Sequence, residues 1–552
     1  MKDSGQKARQ ACLFHPALLV LVLAAALLRL ALSLYFPRVI KDDEPIYLLL
    51  GHNLLAGNGF TYTGSPELHF PPLHPLLVGL FSLMTGDMEM ASNIENAIFG
   101  GLLLLPVFAI ALRIYGSQTA WLTAILLALF PSLTVNVLYW GTMSEPPFLF
   151  LLFLAGALFL AALDEQRLWM FPAAGAVIGL AYLTRNEAIA FFGGLLIFAL
   201  VWLWTSARSL PSNTWYAVGW FALSFMLVAS PYIWYLHLYT GQWMISGKLQ
   251  ITWNAGGWRD EGKTPDQIYN NLDSAGVEIN WLSSERFQGN VLTNAMAHPG
   301  YLLKRVIRSA GSLKEQFFTR TNFWWALMSL VILGLFKQPW SRQRFRYEAF
   351  LITIIVVLLV VFLPFGFAVR FFAPAFPILL MWTAKGALEL GQWFQDTVIL
   401  SGAGTFLNRY MRASLVWLPG GMAVLALILT IPVTADRAIS ATYFGDKEAG
   451  LWLKSHVPDD AKVMSTDIAA ALYAGRIWVP SPNADWGRFM NYATMHGAQY
   501  LVVGDFMLKE NRPELAEIVR NGAEELELIH RFEEPFKLEK LTTYVYRIVK
   551  PS

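Results

Sequence analysis

The chain has 552 residues, 55% of them hydrophobic and 14% charged, with 21 Trp and 38 Phe, and its apolar runs repeatedly reach about twenty residues. This is an integral membrane composition, and a net charge of +2 with dispersed lysines and arginines offers no basic surface for nucleic acid. A single cysteine, Cys12, excludes an intramolecular disulfide framework and a cysteine-based zinc site.

The opening "MKDSGQKARQACLFHPALLVLVLAAALLRLALSLYF" has a basic head, an apolar run longer than a signal peptide's and no clear small-residue cleavage site, so it reads as a retained first span. Runs able to cross a hydrocarbon core of about 30 Å lie at 14–36, 92–115, 117–138, 147–163, 168–184, 187–207, 215–236, 321–337, 349–366, 371–388 and 413–434. The run 71–86, "PPLHPLLVGLFSLMTG", is short and has three prolines in its first five positions, which predicts a re-entrant or interfacial segment. The positive-inside rule agrees. If 71–86 does not cross, the cytoplasmic side receives thirteen cations: Lys2, Lys7, Arg9, Arg113, Arg167, Arg208, Lys337, Arg342, Arg344, Arg346, Lys385, Arg409 and Arg412. Short outer loops then hold only Arg38, Lys41, Arg185 and Arg370, whereas a crossing segment would put the basic "KQPWSRQRF" loop outside.

This orientation predicts a membrane domain over 1–434 with outer loops at about 37–91 and 237–320. The tail 435–552 reads as a soluble α/β domain on the outer face, with strands in "AKVMSTD", "RIWVPSP", "QYLVVGD", "LELIHRF" and "TYVYRIVK" and helical "DIAAALYAG" and "GRFMNYATMHGA" between the first three. It has no glycine-rich phosphate loop, so no nucleotide cofactor is assigned to it.

The polar residues gather on the outer side. In "RVIKDDEPIYLLLGHNLLAGNGF", Asp42, Asp43 and Glu44 open an amphipathic stretch whose Ile46, Leu49, Leu50 and Leu54 share a face. The acids suit a helix N-terminus, and they also suit a general base or metal ligand at the membrane surface. Glu145 in "TMSEPPFLF" either caps the following span with Ser144 or is a lip acid with a functional partner. In "LTRNEA", Arg185 and Glu187 either pair with each other or set an arginine fork against a phosphate at headgroup depth. Arg370, in "FLPFGFAVRFFAPAFPILL", either snorkels to a headgroup or holds one specific lipid phosphate. The outer histidines His52, His69, His74, His237, His298 and His496 form no H-x-x-x-H or H-E-x-x-H pair, so no zinc motif is present. A divalent metal ion assembled from Asp43, Glu44, His69 or His74 stays open.

Two acidic sites and two arginines on one face fit an anionic lipid headgroup, with arginines on the phosphate and a carboxylate activating a hydroxyl. A transporter or flippase of a lipid-linked substrate is the alternative, although such proteins place charges near the bilayer midplane and often show repeats, and no repeat is visible here. A noncatalytic membrane scaffold is the third reading.

The series "DDEPIYLLLGHNLLAGNGF", "FPPLHPLLVGLF", "SEPPFLFLLFLAGALFL", "GLAYLTRNEAIAFF" and "RFFAPAFPILL" resembles the GT-C superfamily of polyprenyl-phosphate-sugar-dependent glycosyltransferases. Within it, bacterial relatives of protein O-mannosyltransferases and of lipid A aminoarabinose transferases are the most similar. The resemblance covers about 14–434 and is strongest up to about 200. It implies an α-helical polytopic membrane protein of about 11 spans plus interfacial helices, with a C-terminal soluble α/β domain. It also implies transfer of a sugar from a polyprenyl-phosphate donor to a protein, lipid or glycan hydroxyl on the outer face of a bacterial plasma membrane. Carried over residue by residue, the resemblance makes Asp43 the base, followed by Glu44, with Tyr47 at the family's aromatic position and Glu145 as second acid. Arg185 and Arg370 would bind the donor phosphate, with Glu187 beside them. The extra acid Asp42 leaves the choice of base between Asp42 and Asp43 open.

Overall fold

The computed structural model describes residues 12–549 except Phe14, Thr142, Gln166, Gln338, Phe367 and the stretches 207–212, 288–290, 320–321, 401–413 and 537–538. Of the expected cytoplasmic cations, Lys2, Lys7, Arg9, Arg208, Arg409 and Arg412 lie outside the described residues.

Among the described residues, seven helices are long and apolar enough to cross a membrane: Pro16–Tyr35, Met88–Tyr115, Glu145–Glu165, Ala188–Thr205, Thr214–Thr240, Arg342–Phe362 and Leu415–Ser440. Each answers one of the expected spans. The other four expected runs are also helical but do not meet that measure. Three are the short apolar helices Ser117–Leu129, Met170–Thr184 and Trp325–Phe336, and the fourth, Ala375–Leu400, carries Lys385, Glu389 and Asp396.

The run 117–138 shows why length fell short. Pro131 cannot continue the helix, so Ser117–Leu129 stops there and two single turns, Pro131–Thr134 and Asn136–Tyr139, follow. The carbonyls orphaned by the break accept from a buried arginine of the first span. Arg29 donates to Leu127 O at 3.3 Å, Ala128 O at 3.3 Å and Leu133 O at 3.2 Å. The broken segment thereby brings Trp140 and Gly141 to the acidic turn at 41–44.

The acid-bearing stretch forms the helix Glu44–Leu55, and 71–86 forms the 13-residue helix Leu73–Thr85, too short to span the bilayer. The two cross with backbones in contact, because a Cβ on Gly51 would fall 2.2 Å from Pro75 O and 2.9 Å from Gly79 N. Leu83 and Met84 remain 69% and 82% exposed, the apolar face an interfacial helix presents to lipid.

All five expected strands form: β1 (Lys462–Ser465), β2 (Ile477–Pro480), β3 (Tyr500–Gly504), β4 (Leu526–Phe536) and β5 (Glu539–Ile548). They make one sheet in the order β2-β1-β3-β5-β4, parallel through β2-β1-β3 and antiparallel at β3-β5 and β5-β4. Helices Ala469–Ala474 and Trp486–His496 supply the crossovers that parallel neighbours require. Polar contacts fasten this sheet to the membrane domain. Lys447 Nζ donates to Arg38 O at 3.1 Å and Glu89 Oε2 at 2.8 Å, and Tyr473 Oη receives the Ile40 N–H at 2.9 Å. Arg512 clasps Asp266 of the 237–320 loop with both nitrogens, at 2.7 and 2.8 Å.

Gly51→Ala should lower the melting temperature of the solubilised protein, with overpacking costing about 1–3 kcal/mol. An unchanged melting temperature would show that the two interfacial helices do not touch at this point.

Candidate active site

Arg38 and Glu44 set the geometry. Both are about 1% exposed, and the guanidinium grips the carboxylate with Nη2 to Oε1 at 2.7 Å and Nη1 to Oε2 at 3.1 Å. Ser92 Oγ donates to the same Oε1 at 2.9 Å. Glu44, expected beside the base, is therefore enclosed by Arg38 and Ser92. Its own N–H donates to Gly141 O at 2.7 Å, and Asp42 in the preceding turn takes φ +56°. Aspartate is among the few non-glycine residues that tolerate this left-handed backbone.

The turn leaves Asp42 and Asp43 facing a cleft of about 540 Å³. Asp43 precedes the helix without capping it; instead its Oδ2 lies 3.5 Å from Arg370 Nη2. Arg370 is in the turn Val369–Phe372 and also donates to Trp140 O at 3.1 Å. Lys248 enters the same cleft from the 237–320 loop, over the Phe70 ring at 5.6 Å. Among the described residues it makes no ion pair. Burial lowers the pKa of Lys248, opposed by Asp43 and Glu187 and reinforced by Arg185 and Arg370. Lys248 thus lies between the Asp43–Arg370 pair and a second ionic group.

That second group is built on two helix ends. Arg185, the residue after Met170–Thr184, reaches Glu145 Oε1 at 2.6 Å, Ser144 Oγ at 2.9 Å and Glu187 Oε1 at 3.4 Å. Burial would raise the Glu187 carboxyl, but Arg185 and Lys248 hold it below the ordinary carboxylate range. Tyr47, one turn after Asp43, shares a hydrogen bond with Ser144 and packs edge-on against Phe70 and His74. Asp42, Asp43 and Arg370 thus meet in the cleft, Glu145, Arg185, Glu187 and Tyr47 form a separate, largely buried cluster that does not line it, and Glu44 is apart in the Arg38 pair.

His69 lines the cleft beside Trp281, 4.3 Å between ring centroids, and burial holds its imidazole well below the usual pKa. His74 Nδ1 instead lies 3.3 Å from Glu95 Oε1. With Glu44 on Arg38 and His74 on Glu95, the set considered for a divalent ion is dispersed. Among the described residues no group of three or more His, Cys, Asp or Glu is placed to hold a metal.

Lys248, Asp467 and Trp478 were not singled out by sequence. Lys248 had a usable signal, being the only lysine or arginine between Arg208 and Arg259. Asp467 and Trp478 come from the C-terminal domain and had none. A neighbouring cavity of about 580 Å³ between that domain and the 237–320 loop shares Asp42 and Asp467 with the cleft. Burial, then Asp446 and Asp42, raise Asp467 to about 7, and burial with Glu534 raises Asp446 to about 6.

Residues 69–235 match the family model described as dolichyl-phosphate-mannose-protein mannosyltransferase. That segment contains Glu145, Arg185 and Glu187, but neither the 42–44 acids nor Lys248 nor Arg370. Among solved structures, ArnT from Cupriavidus metallidurans bound to undecaprenyl phosphate is similar at 13% identity, covering 98% of this chain and 100% of that one, with a TM-score of 0.57. The archaeal oligosaccharyltransferase AglB from Archaeoglobus fulgidus, in complex with an inhibitory peptide and a dolichol-phosphate, is similar at 16% identity, covering 90% of this chain and 70% of that one, with a TM-score of 0.55. By sequence, no curated protein matches the chain. At these identities the likeness establishes a shared fold.

Because Asp446 and Asp467 bind protons more tightly folded than unfolded, where an aspartate titrates near about 3.9, their stabilisation is complete below about pH 4 and fades as pH rises through about 6 to 7. The melting temperature should therefore fall from about pH 5 to about pH 8, and Asp467→Asn should flatten that fall. Superimposable pH profiles for wild type and variant would place the Asp467 carboxyl in ordinary solvent.

Proposed function

We propose that the chain is a membrane glycosyltransferase of the GT-C type whose cleft transfers a sugar from a polyprenyl-phosphate donor to an acceptor hydroxyl, a reading supported by the family-model match over 69–235 and by the fold shared with ArnT and AglB. The observation that carries this reading is the Asp43–Arg370 contact at 3.5 Å in a cleft where Lys248 has no carboxylate of its own among the described residues. Two cations beside one carboxylate form a site for a phosphate next to a base.

In this reading the donor phosphate draws Arg370 and Lys248 to itself, and Arg185 adds charge from the neighbouring cluster. Drawing Arg370 away leaves Asp43 to accept the proton of the acceptor hydroxyl. The acceptor oxygen bonds the anomeric carbon on the face opposite the phosphate. The bond from that carbon to the phosphate oxygen breaks, and polyprenyl phosphate leaves with the electron pair while Arg370 and Lys248 meet its growing charge. A leaving phosphate needs no proton, so the scheme requires one carboxylate at the reacting centre and differs from the two-carboxylate scheme of glycoside hydrolysis. Glu145 and Tyr47 act indirectly in this reading, Glu145 by holding Arg185 and Tyr47 by its hydrogen bond with Ser144. Glu44 fixes the turn that aims Asp43, and Asp42, shared between the cleft and the neighbouring cavity, faces the acceptor's approach. The acceptor is a protein, lipid or glycan hydroxyl on the outer face of a bacterial plasma membrane, where the C-terminal domain also lies.

Asp43→Asn should lower kcat by about 10²–10⁴-fold and leave the melting temperature unchanged, as expected for loss of a general base. Arg370→Ala and Lys248→Ala should each raise the donor KM by about tenfold or more, since charge-assisted hydrogen bonds are lost. Glu44→Gln should act on stability instead, because breaking a buried ion pair costs about 3–5 kcal/mol. Wild-type transfer by Asp43→Asn would remove the residue from the reaction. For orientation, a reporter fused after Arg346 should read cytoplasmic, and an outer reading would invert the whole arrangement.

A further inference from the structure

The helix Ala188–Ser206 begins next to Glu187, the partner of Arg185, and the helix Arg342–Phe362 ends just before Phe365 and Gly366, which line the cleft. They pack antiparallel. At about 1.5 Å per residue, the far ends of these helices lie roughly 30 Å from the site, at the opposite membrane surface. Between those far ends is a groove of about 200 Å³ lined by Phe198, Trp202, Thr205, Arg342, Phe345 and Arg346, among others, and by no carboxylate.

The groove is built to donate. Arg344, which falls between the two groove arginines in sequence, is turned away, and its Nη2 donates to the carbonyls of Gly334 and Leu335 at 2.9 and 3.0 Å. Arg342 and Arg346, one helical turn apart, both face the groove, and Arg346 Cζ lies 4.6 Å over the Trp202 ring. Trp202 Nε1 is buried and has no hydrogen-bond partner among the described residues. An indole N–H and a guanidinium can only donate, so the charged and indole groups of the groove offer donors alone, and the buried Trp202 N–H has no acceptor among the described residues. The lip is apolar and faces outward, with Val201 53%, Phe345 61% and neighbouring Trp204 79% exposed. Exposed aromatics beside arginines mark headgroup depth.

We propose that this groove binds the phosphate of an anionic phospholipid from the leaflet remote from the catalytic cleft, with the acyl chains running over Val201 and Phe345. Two guanidiniums and the Trp202 N–H donate to the phosphate oxygens, and the ring-stacked Arg346 is held in place for them. The site is independent of the transfer reaction and needs only that the two helices span the bilayer.

The test is native mass spectrometry of detergent-solubilised protein titrated with phosphatidylglycerol and, separately, with phosphatidylcholine. Wild type should retain phosphatidylglycerol preferentially, and Arg342→Ala/Arg346→Ala should weaken that retention by about 30-fold, the loss expected for two basic contacts. Trp202→Phe keeps the ring and removes only the donor, so it should weaken retention several-fold even if the double variant fails to fold. Phosphatidylglycerol can also enter the catalytic cleft, and Lys248→Ala reports on that route. Retention that survives the groove substitutions, or that is lost with Lys248→Ala instead, overturns the proposal. Competition by inorganic phosphate without any dependence on the lipid's tails does the same, since it marks a free-anion site.

Discussion

The buried pair of Arg38 and Glu44 is the constraint on which the cleft depends. Two charges removed from water need each other and every remaining hydrogen bond, and here the partners come from separate parts of the chain: Ser92 from the long helix Met88–Tyr115, Leu138 O from the broken segment after Pro131, and Gly141 O from the loop before Glu145. Satisfying one ion pair therefore brings four segments to one point. Asp42 and Asp43 lie within the turn that this packing fixes, and their direction into the cleft follows from it. Lys447 of the C-terminal domain, on Arg38 O and Glu89, extends the same constraint to the sheet.

Breaks in helices serve the same end. A protein that only had to span a membrane would gain from continuous helices, but the segment after residue 117 stops at Pro131, where Arg29 receives its last carbonyls. Trp140 O, which helps to hold Arg370, is then available only because the chain leaves helical geometry before it. The close crossing at Gly51 and Gly79 likewise holds the acid-bearing helix against Leu73–Thr85. Each irregularity is supported by a neighbouring contact, and together they leave a rigid rim around the cleft.

Charge in and around the cleft is held in separate groups. Arg185 is committed to Glu145 and Glu187, Arg38 to Glu44, and Asp43 shares Arg370 with a backbone carbonyl. Lys248 is left between these groups without an ion pair among the described residues, which is the feature the proposed donor phosphate would complete. The C-terminal domain supplies Asp467 and Trp478 to the opposite wall, so the sheet is part of the cleft as well as a cap on it.

Composition and local pattern alone determined the membrane class, the shortness of the helix in 71–86, the five strands of the tail and the candidate acids and arginines, because hydropathy, proline placement and charge pattern are local quantities. Asp42, Asp43, Glu145, Arg185, Glu187 and Arg370 were legible as candidates for that reason. Their division of labour was not. The sequence puts Glu44 next to Asp43, yet a side chain's partner is set by which distant segment packs against it, and Arg38 and Ser92 take Glu44 out of the cleft while Arg370, more than three hundred positions away, takes Asp43. The break at Pro131 and the entry of Lys248, Asp467 and Trp478 belong to the same category. Each depends on a buried polar group finding its partner across the fold, and only the tertiary structure decides that.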